Sequence, residues 1–308
     1  MNFQQLRIIR EAVQQNFNLT DVAAALFTSQ SGVSKHIKDL EDELGIELFI
    51  RRGKRLLGLT EPGKALAVIA DRMLLDAKNI KRLAEQFADA EVGQLTVATT
   101  HTQARYALPQ VVRRFKAAYP RVHLVLHQAN PAEIVQLLQS GEADIGIATE
   151  ALAQNDSFIT FPFYDWHHAV VVPEGHALAV APRLTLEALA EHPLITYHQG
   201  YTGRTRLDAT FAAAGLVPDI VMAALDADVI KTYVQVGLGV GIIAAMAFEP
   251  QRDQGLQLLP ASHLFSANTA RIALKRGHYQ RGFTYRFVQE CVASLTEEVV
   301  REALAPES

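Results

Sequence analysis

Apolar positions recur at helical spacing from the start of the chain. Phe3, Leu6, Ile9, Val13 and Phe17 predict a first helix with one buried side. Asn18 can cap a second helix over 19–26, which carries Val22, Ala23 and Leu26 inward. From Thr28 to Leu44 a further seam is formed by Val33, Ile37, Leu40 and Leu44. The outward positions of that segment are Ser29, Gln30, Ser31, Ser34, Lys35 and Lys38, short hydrogen-bonding and cationic groups of the kind that read base edges and grip phosphates. Two short helices joined by a tight turn suggest helix-turn-helix, with the later helix entering the major groove. An ordinary surface helix has the same two sides, so the sequel matters. Leu48-Phe49-Ile50 predicts a strand, Arg51-Arg52-Gly53-Lys54-Arg55 a glycine-centred turn with four cations, and 56–59 a returning strand. Such a cationic wing can lie along the phosphates or in the minor groove.

Thr60 can cap another helix, with Pro62 near a first turn that does not need its N–H. Leu66, Met73, Ile80 and Phe87 follow at intervals of seven, with Ile69 and Leu83 at the offset positions and Asp76 interrupting. A sevenfold rhythm over several turns calls for a partner helix and hence a dimer; the other reading is a single amphipathic helix lying on its own domain. Glu91-Val92-Gly93 ends the pattern. Strands over 95–99, 122–127 and 143–148 then alternate with helices over 104–118 and 132–138, which predicts right-handed crossovers and a parallel sheet. A second series has strands over 168–172, 194–197, 220–224 and 240–244, with helices over 204–214 and 227–236. A strand over 271–274 and a helix over 279–296 close the chain.

With 308 residues, 49% of them apolar, the chain can bury two or three cores. Its net charge of −4 argues against indiscriminate coating of nucleic acid. Residues 1–60 hold eight Lys and Arg against seven Asp and Glu, but the acids follow the outward surface while the bases sit on it and in the wing. Charges near Met1 stand where a secretory leader needs an apolar core, and no stretch is suited to span a bilayer, so a soluble cytoplasmic protein without a membrane partner is expected. A lone Cys291 excludes an internal disulfide or a cysteine-rich zinc site. His167 and His168 are neighbours on a strand and point to opposite faces, so no metal site is expected. Gly237-Leu238-Gly239-Val240-Gly241 has a helical pattern before it and a strand after it, the reverse of a dinucleotide loop. No catalytic residues are assigned, because neither a nucleophile elbow nor an acid paired with a base stands out.

Ligands of open α/β sheets sit beyond the carboxyl ends of strands. Thr99-Thr100-His101-Thr102-Gln103 occupies such a place, and its hydroxyls, amide and following helix N-terminus suit an oxyanion. Thr149 ends a third strand, and Gly200-Tyr201-Thr202-Gly203 precedes the helix at Arg204. If two lobes face each other, the three loops can converge on one tetrahedral anion. Taken singly, threonines at these junctions are ordinary caps.

The runs Leu-Phe-Thr-Ser-Gln-Ser-Gly-Val-Ser-Lys-His-Ile, Leu-Glu-Asp-Glu-Leu-Gly-Ile-Glu-Leu-Phe, Arg-Arg-Gly-Lys-Arg and Leu-Thr-Glu-Pro-Gly resemble the winged-helix end of LysR-type transcriptional regulators. The likeness extends along the chain and is nearest to the branch of CysB and its paralogue Cbl, which control sulfur assimilation. It implies an N-terminal winged helix-turn-helix domain (1–60), a linker helix that pairs subunits on a palindromic operator (61–91), and a two-lobed α/β effector domain like that of periplasmic binding proteins. Lobe I would comprise 92–162 plus 267–308 and lobe II 163–266, with crossings near 160–162 and 266–267. The family role implied is a ligand-responsive, sequence-specific activator rather than an enzyme. Duplex DNA would meet the outward residues of the third helix, with Arg51, Arg52, Lys54 and Arg55 on its backbone. Thr100, Thr102, Gln103, Thr149 and Thr202 match positions lining the effector pocket, and Tyr164 and Trp166 match aromatic residues near its mouth, although a lone tryptophan is as readily core. The resemblance implies no cofactor. Sulfate, thiosulfate, an acetylated serine and adenosine 5′-phosphosulfate are the effector candidates, an aromatic wall suiting the adenylyl group. It implies further a homo-oligomer, a dimer or tetramer, and contact with RNA polymerase. Two rivals are an anion-binding protein and an enzyme acting on a sulfated or phosphorylated substrate.

Overall fold

A computed structural model describes residues 1–53, 55–149, 151–201 and 203–305; Lys54 and Thr202, both named above as site residues, lie outside the described residues. The chain divides into a unit Met1–Ala84 and a unit Glu85–Ser308.

In the first unit, α1 (Phe3–Gln14) starts at Asn2, whose side chain takes the Gln5 N–H while the Gln5 side chain takes the Asn2 N–H. Asn18 caps α2 (Leu19–Ala25), and Ser29 caps α3 (Gln30–Leu44) by accepting the Gly32 N–H at 3.1 Å. Gly45, at φ 68°, stops α3 in the left-handed conformation that glycine tolerates. Ile8, Ile9, Ala12, Val22, Val33, Ile37 and Leu40 form the core, joined by Leu48, Phe49 and Leu56. Phe3, Val13 and Leu44, expected inside, are exposed. Ile8 and Ala12 are buried where Phe3 and Val13 were expected, so the buried side of α1 is rotated from the predicted one. The wing pairs β1 (Phe49–Arg52) with β2 (Arg55–Leu59), Arg52 facing Arg55 across a turn tighter than the predicted five residues.

The long helix α4 (Glu61–Ala88) begins with the Gly63 N–H donating to the Thr60 hydroxyl at 3.1 Å. A Cβ at Gly63 would stand 2.0 Å from the Leu48 carbonyl oxygen, so this close approach requires glycine. Leu66 packs on the winged core, while Ala70, Leu74 and Met73 pack with Leu6. Val68, Ile80 and Phe87 are exposed. The sevenfold row therefore packs on its own domain early and continues as an outward apolar stripe.

The second unit holds two five-stranded sheets. β3 (Gly93–Thr99), α5 (Pro109–Ala118), β4 (Val122–Gln128), α6 (Pro131–Ser140) and β5 (Ile145–Ala148) make parallel crossovers, and β6 (Phe158–Trp166) follows on the far edge. The chain enters the second sheet with β7 (His168–Pro173), then α7 (Ala177–Val180), α8 (Leu186–Ala190), β8 (Leu194–Tyr197), α9 (Arg204–Ala213), β9 (Ile220–Ala224), α10 (Ala227–Gln235), β10 (Val240–Ala244) and β11 (Leu256–Pro260). It returns through β12 (Asn268–Lys275) to α11 (Gly282–Cys291) and α12 (Glu297–Leu304). The orders are β4-β3-β5-β12-β6 and β11-β7-β10-β8-β9.

Four expectations change. Both sheets are mixed, because β12 runs antiparallel to β5 and β6, and β7 to β10 and β11. The first crossing is not at 160–162: β6 pairs with β12 from Phe158–Lys275 through to Trp166–Asn268, so the chain leaves this sheet at His167 and residues 163–166 belong to lobe I. In place of a single helix over 104–118, a π turn covers Gln103–Ala107, closed by the Leu108 N–H on the Gln103 carbonyl at 3.0 Å, before Pro109 opens α5. Proline has no N–H to continue the earlier turn and restricts the residue ahead of it. The terminal helix breaks at Val292 into α11 and α12. Lobe I is centred on Phe115, Phe283 and Phe287, and lobe II on Val170, Leu194, Leu207 and Phe211. Cys291 packs against the first of these cores, and burial pushes its thiol pKa up, which suits a packing role.

Candidate functional site

Along α3, Gln30, Ser31, Lys35 and Lys38 are exposed and Ser34 is half-buried, above a seam in which Val33, Ile37 and Leu40 are fully buried. Ser29 belongs to the cap, its hydroxyl 3.1 Å from that of Ser31. Arg52 and Arg55 stand exposed at the wing tip. Arg51 is partly engaged: its Nη2 lies 2.6 Å from Glu41 Oε2, and Glu41 Oε1 accepts the N–H groups of Leu48 and Phe49 at 2.8 and 3.2 Å. Glu41 thus fastens the wing to α3. Phe27, 98% exposed with φ 50°, stands in the turn between α2 and α3; nothing in the helical pattern of the sequence marked it.

In the second unit the parallel strands end together. Thr99 donates to the Ile147 carbonyl at 3.1 Å and belongs to the sheet. Thr100, Thr102 and Gln103 follow it, all buried. Gln103 Oε1 accepts the Tyr164 hydroxyl, which also lies 3.3 Å from Met246 Sδ in lobe II. Trp166 donates Nε1–H to the Thr149 hydroxyl at 3.1 Å. The structure therefore brings Gln103 to Tyr164 and Thr149 to Trp166, each pair joining a strand-end loop of lobe I to the hinge strand β6. Burial raises the Tyr164 pKa against the opposing effect of Gln103, so the phenol stays neutral. The Thr102 hydroxyl approaches the buried Tyr197 phenol without a well-formed hydrogen bond, while that phenol accepts the Ala244 N–H at 3.1 Å.

From lobe II, α9 begins beside His168 and Asn268, where the two strands that cross between the lobes meet. Its cap is Gly203, at φ 72°, which supplies no side-chain acceptor. Arg204 beside it is buried, with Nε 2.7 Å from Asp208 Oδ1 and Nη1 donating to the Tyr197 carbonyl at 2.7 Å. The donors around this site are hydroxyls, amides and a helix terminus, and the adjacent guanidinium is already neutralised by Asp208. Such a site can hold an anion through aligned dipoles. Among the described residues it shows no pairing of a nucleophile with a base.

A second contact between the lobes lies at the other end of the π turn. Asp228, near the start of α10, accepts the Tyr106 hydroxyl at 2.7 Å and pairs with Arg105 Nε at 2.7 Å; His101 Nε2 is 3.4 Å away and Lys231 Nζ 3.3 Å. Burial opposes ionisation of Asp228, but Tyr106, Lys231, His101 and Arg105 outweigh it and hold its pKa below the ordinary value. Lys231 is itself buried and bound to Asp253 and the Ala247 carbonyl at 2.9 and 2.7 Å. His101, Asp226 and Asp228 bring three possible ligand atoms within 4.8 Å, but Arg105 and Lys231 flank them and Asp226 caps α10. The charge balance there favours the clasp over a cation. An i, i+3 Asp228–Lys231 pair is visible in the sequence; its reach to Tyr106, 122 residues away, is not.

Comparison with known proteins fits this arrangement. Residues 3–64 match the family described as "Bacterial regulatory helix-turn-helix protein, lysR family", and residues 88–296 match "LysR substrate binding domain". The chain is 58% identical over 308 residues to the HTH-type transcriptional regulator SsuR of Burkholderia cenocepacia, covering 99% of this chain and 100% of that one. It is 55% identical over 308 residues to the HTH-type transcriptional regulator cbl of Escherichia coli, covering 100% and 98%. Its effector half resembles the crystal structure of the cofactor-binding domain of the Cbl transcriptional regulator, with 49% identity and a TM-score of 0.68 over 70% of this chain and 95% of that one. Among the described residues no helix is long and apolar enough to cross a membrane. A winged helix-turn-helix joined by one long helix to a two-lobed α/β domain, with both family matches, makes this chain a member of the LysR family of DNA-binding transcriptional regulators and not an enzyme.

Proposed function

We propose that this regulator controls genes for assimilating sulfur or using alternative sulfur sources, as an activator in the cytoplasm, and that a small sulfur-related anion between the effector lobes sets its state on DNA. The observation that carries the anion reading is the cluster Thr100, Thr102 and Gln103, buried just beyond the carboxyl end of β3. Thr149 adds a further hydroxyl, and Tyr164 and Trp166 form the aromatic side against which an adenylyl group can lie. Sulfate, adenosine 5′-phosphosulfate and an acetylated serine are the candidates. A ligand with different affinity for the open and closed lobes shifts their balance and thereby the placement of the winged domains on an operator.

The division of labour assigns DNA contact to 1–60: Gln30, Ser31, Ser34, Lys35 and Lys38 meet bases and phosphates, and Arg52, Lys54, Arg55 and the partly engaged Arg51 hold the backbone. The helix over 61–91 pairs subunits through the stripe of Val68, Ile80 and Phe87, on the way to a homotetramer, and RNA polymerase is the further partner. Lobes I and II, divided at His167, bind the effector. Thermal-shift titration with the candidates tests the effector: a specific ligand raises the melting temperature of wild-type protein, and Thr100→Val removes that rise while leaving the unliganded melting temperature within a few degrees. No shift with any candidate, or an equal shift in Thr100→Val, overturns the pocket assignment.

A further inference from the structure

Asn268 is the first residue of β12, the strand by which the chain returns to lobe I, and it pairs across the ladder with Trp166, the last residue of β6. The two hinge strands thus present Trp166 and Asn268 as neighbours where the lobes meet. Trp166 already reaches the lobe I loop through its bond to Thr149. Asn268 reaches lobe II: a Cβ built on Gly203 would lie 3.0 Å from Asn268 Oδ1 and 2.7 Å from His168 Cε1. The backbone at the start of α9 therefore rests directly on this side chain, and Arg206, one turn along, donates from Nη1 to the Ala267 carbonyl, tying the same helix end to the approach of β12.

The Asn268 side chain is 0% exposed, and neither its Oδ1 nor its Nδ2 has a hydrogen-bond partner among the described residues. A buried primary amide with both ends unmatched is uncommon, because desolvation is unfavourable unless a partner replaces water. This one lies against the glycine cap of a ten-residue helix whose N-terminus has no side-chain acceptor. An unmatched amide N–H group on one side and a helix N-terminus without a side-chain cap on the other suit one kind of visitor, a compact oxyanion.

We infer that Asn268 is a further effector-binding residue, whose carboxamide donates to an oxyanion seated at the N-terminus of α9, so that the returning hinge strand contacts the ligand directly. The inference rests on the oxyanion reading of the cleft proposed above. The unliganded protein carries an unmatched amide whose N–H end the bound anion satisfies, which adds affinity for the ligand and places one of its contacts on the strand that returns to lobe I.

The test uses full-length protein with inorganic sulfate and adenosine 5′-phosphosulfate as probes, measuring dissociation constants by calorimetry and unliganded melting temperatures in parallel. Asn268→Leu keeps the branch at Cγ and removes the amide. The expected result is an unliganded melting temperature equal to or above that of wild type, with sulfate binding weakened at least tenfold. A merely structural amide gives the same melting result with binding within twofold of wild type, and that outcome overturns the assignment. Should the leucine variant fail to fold, Asn268→Ser, smaller and still polar, serves instead: binding weakened at least fivefold supports the role, and unchanged binding overturns it. Thr100→Val separates the two levels. Wild type that binds sulfate and is weakened by Thr100→Val but not by Asn268→Leu sinks the Asn268 role alone, whereas wild type that binds neither probe sinks the oxyanion reading and this role with it.

Discussion

Replacing Asp228 by Ala removes the acceptor through which lobe II holds the π turn of lobe I. The carboxylate takes the Tyr106 hydroxyl at 2.7 Å and Arg105 Nε at 2.7 Å, whereas His101 at 3.4 Å is too distant to add much. A hydrogen bond to an ionised acceptor contributes about 1.5–3 kcal/mol. The Arg105 pair, with side chains 39% and 33% exposed, adds no more than about 1 kcal/mol after solvent screening. Lys231 shares a lobe with Asp228 and does not hold the lobes together; it keeps Asp253 and the Ala247 carbonyl, so its buried charge is not stranded. Asp228→Ala is therefore expected to destabilise the effector half by about 2–4 kcal/mol, and Tyr106→Phe by about 1.5–3 kcal/mol. Denaturant unfolding of the full chain, followed by fluorescence of the single tryptophan, Trp166, reports this half. The double-mutant cycle is expected to give a Tyr106–Asp228 coupling of about 1.5–3 kcal/mol. Because the Asp228 pKa is held down, its contribution is complete above the ordinary carboxylate value of about 3.9 and is lost as pH falls through the depressed one. Couplings at pH 6 and pH 8 are therefore expected to agree. Single effects that add to within about 0.5 kcal/mol, or a coupling that vanishes between pH 8 and pH 6, would refute the clasp.

Other perturbations separate DNA contact from folding. Lys35→Ala is expected to weaken operator and scrambled duplex alike and to lower the salt slope of binding by about one, with sulfate affinity unchanged; an unaltered slope in a filter-binding salt series would remove Lys35 from the phosphates. Glu41→Ala strands the N–H groups of Leu48 and Phe49 and frees Arg51, so the winged unit is expected to lose about 2–4 kcal/mol and those two amides their hydrogen-exchange protection. Protection equal to wild type would show that Glu41 does not hold the wing. Gly63→Ala places a methyl against the Leu48 carbonyl, and a circular-dichroism melt of the winged unit is expected to fall by several degrees; an unmoved melt would mean that α4 shifts without cost.

How far the sequence disclosed this molecule varied with the range of the interactions involved. β8 and β10 lie where the apolar runs predicted them, because strands inside the sheet are buried along their whole length, and the apolar run of β9 was enough to place it although it is a partly exposed edge strand. The seam beneath α3 was readable as far as Leu40, where helical spacing is enough, and failed at Leu44, next to the terminating glycine. The strand β6 was not readable at its true length: Phe158–Trp166 contains Pro162 and mixed polarity, tolerated because among the described residues it is an edge strand, and its partner, β12, comes a hundred residues later. That Thr100 and Thr149 stand just beyond the ends of β3 and β5 was legible, because strand ends are positions of known geometry. Asn268 and Asp228 were not, since their significance arises from contacts with Gly203 and Tyr106 that only the fold creates.

Between Gln103 and Ala107 the backbone makes a five-residue turn closed by an i to i+5 bond, one residue wider than the regular helix. Since successive helical residues are rotated by roughly 100°, that added width decides which way Arg105 and Tyr106 face once Thr102 and Gln103 have been aimed at the cleft. Narrowing the turn by one residue would swing Arg105 and Tyr106 off Asp228 while Thr102 and Gln103 stayed in place. The orientation of both pairs is therefore set by a single short length of chain, and a one-residue deletion within it is expected to put them out of phase.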